Sequence, residues 1–438
     1  VVGPPHFKKY GKSKVILSYA LKSFFFITVL AFAIKLVLQI KNYRDQNFNL
    51  VANSSAFDAQ FTLFFMHLFD TFLKKNTADG EPLQFGQYYS NWSPFKPFNF
   101  KPTDMDLRHT THIYYSFVGI DKKTCKVYLT DKFSDTEYVD PAISSADHSS
   151  GLIMEFNYLR HGLFNSEKFL DFSKRVEYKN DLVNLKELNN NANNFKFIMS
   201  IGGWSQSESF HKLAKSSECL DNFINSCINV VMANGFDGID IDWEYPKNKK
   251  EYETYKDIFK RLREKFDELE ETIFWIVDNK KNRWFHLSPA IPCDNDVLQH
   301  LYLKEIERYV DGFNLMAYDL SGEWSEKTAF HSNLYKYGSD DDSSNADINS
   351  VVTYLLDDLQ IKAHKIILGI PLYGRSFTNV KAKNYRNVIG AKFKGVDNWF
   401  DKNSPGIWPT KEIYELKGYD FYHDDKAVSS YIFNSKKN

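Results

Sequence analysis

The sequence lacks an excess of either charge. Its 438 residues include 55 Lys and Arg against 56 Asp and Glu, which leaves a formal net charge of −1. This balance excludes the strongly basic composition with which proteins bind nucleic acid, so no nucleic-acid partner is predicted. The same balance gives no indication of an acidic partner.

Cysteine is also scarce. The four cysteines have no zinc-site spacing and occur as Cys125, Cys219, Cys227 and Cys293. Four cysteines in a chain of this length do not show whether the protein folds in an oxidising or a reducing compartment. If residues 219–234 form a helix, Cys219 and Cys227 lie roughly 12 Å apart along it and cannot form a disulfide with each other. No metal and no cofactor is predicted.

A short apolar run follows a basic stretch near the N-terminus. The run is "SFFFITVLAFAI", residues 23–34, and it is short for a helix that crosses a membrane. With the lysines before it and the small residues Ala31 and Ala33, it predicts a signal peptide over residues 1–33 and therefore a secreted protein. The alternative is a membrane anchor formed by residues 23–34. Residues 34–80 have no assigned role.

From about residue 84, short apolar runs of β type alternate with amphipathic stretches. The seven runs are "LQFGQYYSNW", "HTTHIYYSFVGI", "NFKFIMSIGG", "GFDGIDIDW", "WFHLSPAIP", "VDGFNLMAYD" and "KIILGIPLYG". Strand–helix alternation implies parallel strands, and seven of them favour an α/β fold of the (β/α)8 barrel type over an open sheet. Residues 81–438 are predicted to form this domain.

Two stretches between the strands have helical periodicity. In "KEYETYKDIFKRLREKFDELEE" the apolar residues recur on one helical face. The similar stripe in "CLDNFINSCINVVMANG" ends at Gly235, a suitable C-cap. Two connections are longer than the others, namely residues 121–190 with the tract "NNNANN", and the acidic segment "GSDDDSSNAD". Both are predicted to be surface loops.

The segment "FDGIDIDWEYP", residues 236–246, places four carboxylates among apolar residues. In a strand, Asp240, Asp242 and Glu244 share one face, whereas Asp237 has the opposite parity and is expected to be structural. Crowded carboxylates raise one another's pKa values, so at least one is expected to hold a proton near neutral pH, as a general acid must.

Two alternatives for this acidic segment are a solvated edge strand and a metal-binding run. The apolar residues on the opposite face argue against the edge strand. A calcium loop needs turn residues and backbone carbonyls between its acids, which argues against the metal site.

These motifs resemble those of the family 18 glycoside hydrolases, the chitinases and their relatives. "DGIDIDWE" matches the family pattern D-x-x-D-x-D-x-E at every named position, and "SIGGW" matches a second family motif. Supporting matches are "YYSNW", "NLMAYD" and "PLYGRSF". The stretches "LTDKFSDTE" and "LSPAIP" are most similar to the fungal and bacterial-like branch. The resemblance extends from about residue 84 to the C-terminus.

The resemblance implies a chitinase that hydrolyses β-1,4-linked N-acetylglucosamine polymers with retention of configuration. Glu244 is expected to protonate the glycosidic oxygen while the substrate's own N-acetyl carbonyl attacks the anomeric carbon and forms an oxazolinium ion. Asp242 is expected to orient the acetamido group, Asp240 to share a proton with Asp242, and Tyr318 to hydrogen-bond the acetamido oxygen. This scheme differs from catalysis by two protein carboxylates.

The resemblance also implies which residues bind the sugar chain. Met316 is expected to line the acetyl pocket and Asp319 to contact the sugar. Trp204 and Trp324 are expected to stack on the leaving-group side, because sugar C–H faces pack on aromatic rings. The remaining expected substrate contacts are Tyr88, Phe117, Gly203, Tyr373 and Arg375.

The C-terminal part departs from the family pattern. The family chain continues through a small α+β insertion after the seventh strand to an eighth strand that carries a Trp under the sugar. Here the segment that begins "GIWPTKEIYELKGYDFYHDD" resembles part of the insertion, and no eighth strand or matching Trp follows. The domain is therefore expected to be C-terminally incomplete, and a protein that ends at Asn438 is expected to be nearly inactive.

Two other functions on the same scaffold stay open. One is a non-hydrolytic lectin that binds chitin or another glycan; such relatives usually lack the terminal Glu of the acidic motif, which is present here as Glu244. The other is an endo-β-N-acetylglucosaminidase that cleaves N-glycan cores. The expected partner is chitin or a chito-oligosaccharide, and the protein is expected to be a monomer.

Overall fold

The computed structural model describes residues 84–107, 109–140, 151–161, 195–273, 283–337, 346–399, 405–434 and 436. The predicted signal segment and the unassigned residues 34–80 lie outside these ranges. Within the described ranges, no helix is long and apolar enough to cross a membrane.

A curved sheet of seven parallel strands forms the frame of the domain, and its strands follow one another in chain order. A further strand, β3 (Val127–Leu129), pairs antiparallel with β2 (His112–Ile120). The seven predicted strands and the predicted fold class are confirmed. The parallel strands are β1 (Gly86–Ser90), β2 (His112–Ile120), β4 (Lys196–Gly202), β5 (Gly238–Asp242), β6 (His286–Pro292), β7 (Phe313–Met316) and β8 (Ile366–Leu368).

Helices connect these strands, and the two longest are the two predicted from periodicity. Helix α3 (Ser217–Asn234) begins after Ser216, whose side chain accepts the N–H of Cys219, and is capped by Gly235, which has a φ of 70°. The helices are α1 (Lys132–Thr136), α2 (Gly151–His161), α3 (Ser217–Asn234), α4 (Lys249–Ile273), α5 (Asn295–Leu298), α6 (Leu303–Ile306) and α7 (Ile348–Thr353).

The core lies between the sheet and these helices. Ile239 and Ile241 of β5 are fully buried, and Trp243 packs against Phe210 and against Tyr255 of α4. Burying each side chain of this size stabilises the fold by about 1.5–3 kcal/mol. Because β5 pairs with β4 on one side and with β6 on the other, the edge-strand alternative is excluded.

The prediction of a surface loop over residues 121–190 is wrong for the described part of that range. Helix α2 is part of the core, and its Leu152 and Phe156 are fully buried. A disulfide joins Cys125, between β2 and β3, to Cys219 of α3. Cys219 therefore does not pair with Cys227, as helix geometry predicted. The tract "NNNANN" and most of "GSDDDSSNAD" lie outside the described residues.

After β8 the chain leaves the parallel sheet. The predicted strand "KIILGIPLYG" is divided, because β9 (Tyr373–Arg375) pairs antiparallel with β10 (Ile407–Pro409) instead of continuing β8. Helix α8 (Thr410–Glu415) and the hairpin of β11 (Asp420–Asp424) and β12 (Ser429–Phe433) complete the predicted α+β unit. No described residue adds an eighth parallel strand, so β1 and β8 each have one parallel neighbour.

Candidate active site

The carboxyl ends of β4 and β5 meet in a close backbone contact that positions the acidic motif. Gly202 has a φ of 116°, and a Cβ atom at this position would lie 2.1 Å from the carbonyl oxygen of Asp242. Glycine is required for this approach. Gly203 donates its N–H to the same oxygen at 2.9 Å. The "SIGGW" motif therefore holds the end of β5, two residues before Glu244.

Glu244 lies just beyond β5, and its backbone is fixed by a buried serine. The N–H of Glu244 donates to Ser207 Oγ at 2.8 Å, and Ser207 Oγ donates to the carbonyl oxygen of Gly203 at 3.0 Å. Tyr245 donates its hydroxyl to Glu244 Oε2 at 3.3 Å. Sequence reasoning identified neither Ser207 nor Tyr245, although Tyr245 directly follows the expected acid.

Asp240 is fully buried and accepts four hydrogen bonds, two at each carboxylate oxygen. Tyr88 Oη and Ser200 Oγ donate to Oδ2 at 3.0 and 2.8 Å. Ser288 Oγ and Asn314 Nδ2 donate to Oδ1 at 2.8 and 3.0 Å. The four donors come from β1, β4, β6 and β7. Four strands of the sheet thus position one carboxylate.

Ser288 and Asn314 were missed by sequence reasoning. Asn314 lies two residues before Met316 in "NLMAYD" and shares its strand face, and this parity could have identified it. Its amide also donates to Tyr88 Oη at 3.0 Å, and the Tyr88 ring stacks on Tyr114 with a centroid distance of 4.6 Å. Ser288 carries no comparable signal, because its contact with Asp240 exists only once β5 and β6 pair.

Burial raises the pKa values of all three acids of the motif. Desolvation raises the pKa of Asp240 to about 6, although the hydrogen bonds from Ser288, Ser200, Tyr88 and Asn314 oppose the shift. Desolvation also raises the pKa of Glu244 to about 7.

For Asp242, desolvation and then the negative charges of Glu244 and Asp240 raise the pKa well above its usual value. Asp242 Oδ1 is buried and has no hydrogen-bond partner among the described residues. Burial and like charge therefore favour the protonated form of the acids in this motif.

A second charged cluster lies beyond β7. It brings together three of the expected substrate-binding residues, Asp319, Trp324 and Arg375. Arg375 Nε donates to Asp319 Oδ1 at 2.7 Å, and its guanidinium lies 4.6 Å from the ring centroid of Trp324. Burial alone would raise the pKa of Asp319, but His331, whose Nδ1 lies 3.7 Å from Asp319 Oδ1, and the hydrogen bond and charge of Arg375 hold it well below its usual range. Asp319 is therefore a fixed anion, unlike the acids of β5.

The aromatic residues predicted for the sugar site lie at the same end of the strands. The ring of Phe117 lies against Gly203, where a Cβ atom would be 2.8 Å from it, and the next residue, Trp204, is 77% exposed. Tyr318 packs against Gly369, beyond the end of β8, and lies edge-on to Tyr373 at 6.0 Å.

Met316 and Trp324, two of the expected substrate residues, differ in their exposure. Met316 is the half-buried last residue of β7, in register with Pro292 of β6. Trp324 is 57% exposed and contacts Arg375. Trp324 is thus available at the surface, whereas Met316 faces a more enclosed position.

The chain belongs to the glycosyl hydrolases family 18, whose family model matches residues 84–438. It is therefore a glycoside hydrolase by family. Sporulation-specific chitinase 2 of Saccharomyces cerevisiae is 36% identical over 363 residues, which cover 80% of this chain and 67% of that protein.

Solved structures have the same fold. Catalytic domain 2 of the group II chitinase of Ostrinia furnacalis has a TM-score of 0.60 at 21% identity, and the match covers 81% of this chain and 82% of that one. Human YKL-39, described as a pseudo-chitinase with retained chitooligosaccharide binding, has a TM-score of 0.58 at 23% identity and covers 81% of this chain and 84% of that one.

Proposed function

We propose that this protein is a chitinase that cleaves β-1,4-linked N-acetylglucosamine chains by a retaining, substrate-assisted mechanism. The observation that carries the proposal is the position of Glu244. It is held by its backbone at the end of the acidic strand, beside the exposed Trp204, and burial brings its pKa to about 7. A carboxylic acid with this pKa is protonated in part at neutral pH and can donate to a leaving oxygen.

In the first step Glu244 gives its proton to the glycosidic oxygen as the bond from that oxygen to the anomeric carbon breaks. The acetamido carbonyl oxygen of the same sugar forms a new bond to the anomeric carbon, which gives an oxazolinium ion. Asp242 stabilises the positive charge that develops on the acetamido nitrogen, and Tyr318 donates to the acetamido oxygen. Asp240, fixed by its four donors, takes part in proton sharing with Asp242.

In the second step a water molecule attacks the anomeric carbon from the face that the leaving group vacated. Glu244, now ionised, accepts a proton from this water, and the acetamido group is released. Two displacements at one carbon restore the original configuration. The product is the β-anomer, which NMR can observe before mutarotation.

A glycan-binding lectin is the main competing function, since one structural neighbour is described as a pseudo-chitinase. An endo-β-N-acetylglucosaminidase is the other. The presence of Glu244 supports hydrolysis over binding alone. The exposed Trp204 and Trp324 support a linear chain over a branched N-glycan core, because a linear chain can stack along successive platforms.

Because a protein that ends at Asn438 is expected to be nearly inactive, the test uses the chain extended after Asn438 with a family-like C-terminal segment as the unmodified protein in all kinetic comparisons. Its hydrolysis of chitotetraose is compared with that of its Glu244→Gln variant. We expect the variant to lose about 10²–10⁴-fold in kcat while it retains affinity for the oligosaccharide, because the amide keeps the shape of the acid but has no proton to donate. Chitotetraose binding without turnover by the unmodified chain would support the lectin. Release of an N-glycan from a glycoprotein, with chitotetraose intact, would support the endoglycosidase.

We also propose that the protein follows the secretory route. The predicted signal segment motivates this, and the disulfide between Cys125 and Cys219 supports it, because disulfides persist mainly in oxidising compartments. Expression in the native cell followed by immunoblotting of medium, cell surface and lysate tests the proposal. Recovery of the protein solely in the cytosolic fraction would contradict it.

A further inference from the structure

A buried polar network lies beside the site, in the stretch "LTDKFSDTE" that follows β3. Its centre is Asp135 of α1, which is 1% exposed. The carboxylate accepts hydrogen bonds from Asn91 Nδ2 at 3.0 Å, from the N–H of Asp131 at 3.0 Å and from the hydroxyl of Tyr115. These neutral donors fix the carboxylate between β1, β2 and α1.

Asn91 connects the Asp135 carboxylate to Trp92, the aromatic residue that directly follows Asn91 in the chain. Its N–H donates to the carbonyl oxygen of Ser116 at 2.7 Å, and its own carbonyl oxygen accepts the hydroxyl of Ser134. Its Nδ2 donates to Asp135 and also to Thr130 Oγ1 at 3.0 Å. All polar groups of Asn91 except its side-chain oxygen are thereby held, which fixes the backbone immediately before Trp92.

Thr130 extends the network to a second aromatic residue. Its hydroxyl accepts from Asn91 and donates to the carbonyl oxygen of Phe117 at 2.6 Å. The rings of Trp92 and Phe117 lie 6.4 Å apart, and Phe117 lies against Gly203. Trp92 is 46% exposed. The hydrogen bonds of Asn91 and Thr130 thus fix the backbone immediately before Trp92 and at Phe117, the two members of this aromatic pair.

We propose that Asp135, Asn91 and Thr130 are positioning residues that hold the Trp92–Phe117 pair in place to bind the sugar units of longer chito-oligosaccharides. This inference rests on the proposed function. Stacking a sugar on an aromatic ring gains most when the ring is already fixed, because less conformational freedom is lost on binding. None of the three residues contacts the acids of β5, so the network acts on binding and leaves the bond-breaking step unchanged.

The matched variants Thr130→Val and Thr130→Ser test the proposal. Valine keeps the shape of threonine but can neither accept from Asn91 nor donate to Phe117, whereas serine retains the hydroxyl. We expect Thr130→Val to raise KM for chitopentaose about three- to tenfold, the loss expected for one or two hydrogen bonds. We expect kcat to stay within about twofold of the unmodified value, and Thr130→Ser to restore KM.

Two results would overturn the proposal. One is a Thr130→Val protein with a lowered Tm but an unchanged KM, which would assign the network to stability alone. The other is a lowered kcat at constant KM, which would place the network in the chemical step. If Thr130→Val does not fold, Asp135→Asn replaces it, since the amide removes an acceptor that faces Asn91, and the same rise in KM is required.

The network proposal can be tested even if the proposed chitinase activity is absent. If the unmodified chain binds chitopentaose but does not hydrolyse it, calorimetry replaces kinetics. The network proposal then requires a Kd about three- to tenfold weaker in Thr130→Val than in Thr130→Ser. Equal Kd values in the two variants would reject the network proposal whatever the fate of the catalytic one.

Discussion

Carboxylates are buried at both ends of β5, and the two ends compensate the negative charge differently. At the amino end, Asp237 forms an ion pair with Arg160 and accepts the N–H of Phe197 at 2.7 Å. At the carboxyl end, the hydrogen-bond donors to Asp240 are hydroxyls and an amide. Among the described groups with the largest effects on the pKa values of the three motif acids, none is a cation.

This difference distinguishes Asp237, a structural acid, from the motif acids, whose raised pKa values suit proton transfer. Burial raises the pKa of Asp237, but the charge of Arg160 opposes the shift, and a guanidinium stays charged at any relevant pH. For Asp242 the nearest charges are negative and add to the effect of burial. Burial without a compensating cation raises the pKa of an acid, which is the property a proton donor at neutral pH needs.

Among substitutions within β5, the largest expected effect on turnover comes from Asp242→Asn, at the carboxyl end. We expect kcat to fall about 10²–10³-fold, because the substitution removes the charge that stabilises the developing acetamido cation. Removing that negative charge also lowers the pKa of Glu244, so the alkaline limb of the pH–rate profile moves to lower pH. Steady-state kinetics on chitotetraose across pH measures both effects. An unchanged profile would show that the charge of Asp242 does not shift the pKa of Glu244.

Asp237→Asn is the same substitution at the amino end of the same strand. It leaves the buried Arg160 without its charge partner, so we expect a loss of about 3–5 kcal/mol in the free energy of unfolding. Below the unfolding transition, we expect kcat and the pH profile to remain those of the unmodified protein. Urea unfolding and the same kinetic assay measure the two quantities. A shifted pH profile in Asp237→Asn would contradict the division between the two ends.

A smaller effect is expected from Asn314→Leu, which removes one donor from Asp240 at similar volume. Because a hydrogen bond to the ionised form lowers a pKa, its loss raises the pKa of Asp240. We expect the acidic limb of kcat/KM to move up by about one to two pH units, the equivalent of one charge-assisted hydrogen bond.

Asn157→Leu is the matched control for this prediction, because Asn157 is a buried amide that bonds Arg160 at the amino end. It is expected to lower Tm without a shift of either pH limb. If Asn314→Leu lowers the stability of the protein but leaves the acidic limb of kcat/KM unshifted, the prediction is contradicted and Asn314 serves only in packing.

Much of this arrangement could be predicted from the sequence, because it depends on local pattern. The alternation of strands and helices, the shared face of Asp240 and Asp242, and the C-cap at Gly235 each follow from residues close in the chain. The opposite parity of Asp237 likewise agrees with its ion pair at the other end of the strand.

The rest depends on contacts between distant residues. Asn314 and Tyr88 are 226 residues apart, and Cys125 and Cys219 are 94 apart. No local period indicates either pair. The sequence predicts a loop where helix α2 forms, because α2 lies in a long insertion. Its burial follows from the packing of Phe156 against Tyr89 of β1 and Phe197 of β4, which are distant in the chain.

The pH dependence of kcat/KM for the unmodified protein tests the central claim most directly, because this ratio reports the pKa values of the free enzyme. Glu244 donates its proton, so activity is retained below its pKa and lost as pH rises through it. The account predicts an alkaline limb at about pH 7, where burial places this pKa. A value of kcat/KM that stays constant from below to well above pH 7 would contradict the assignment of Glu244 as a proton donor tuned by burial.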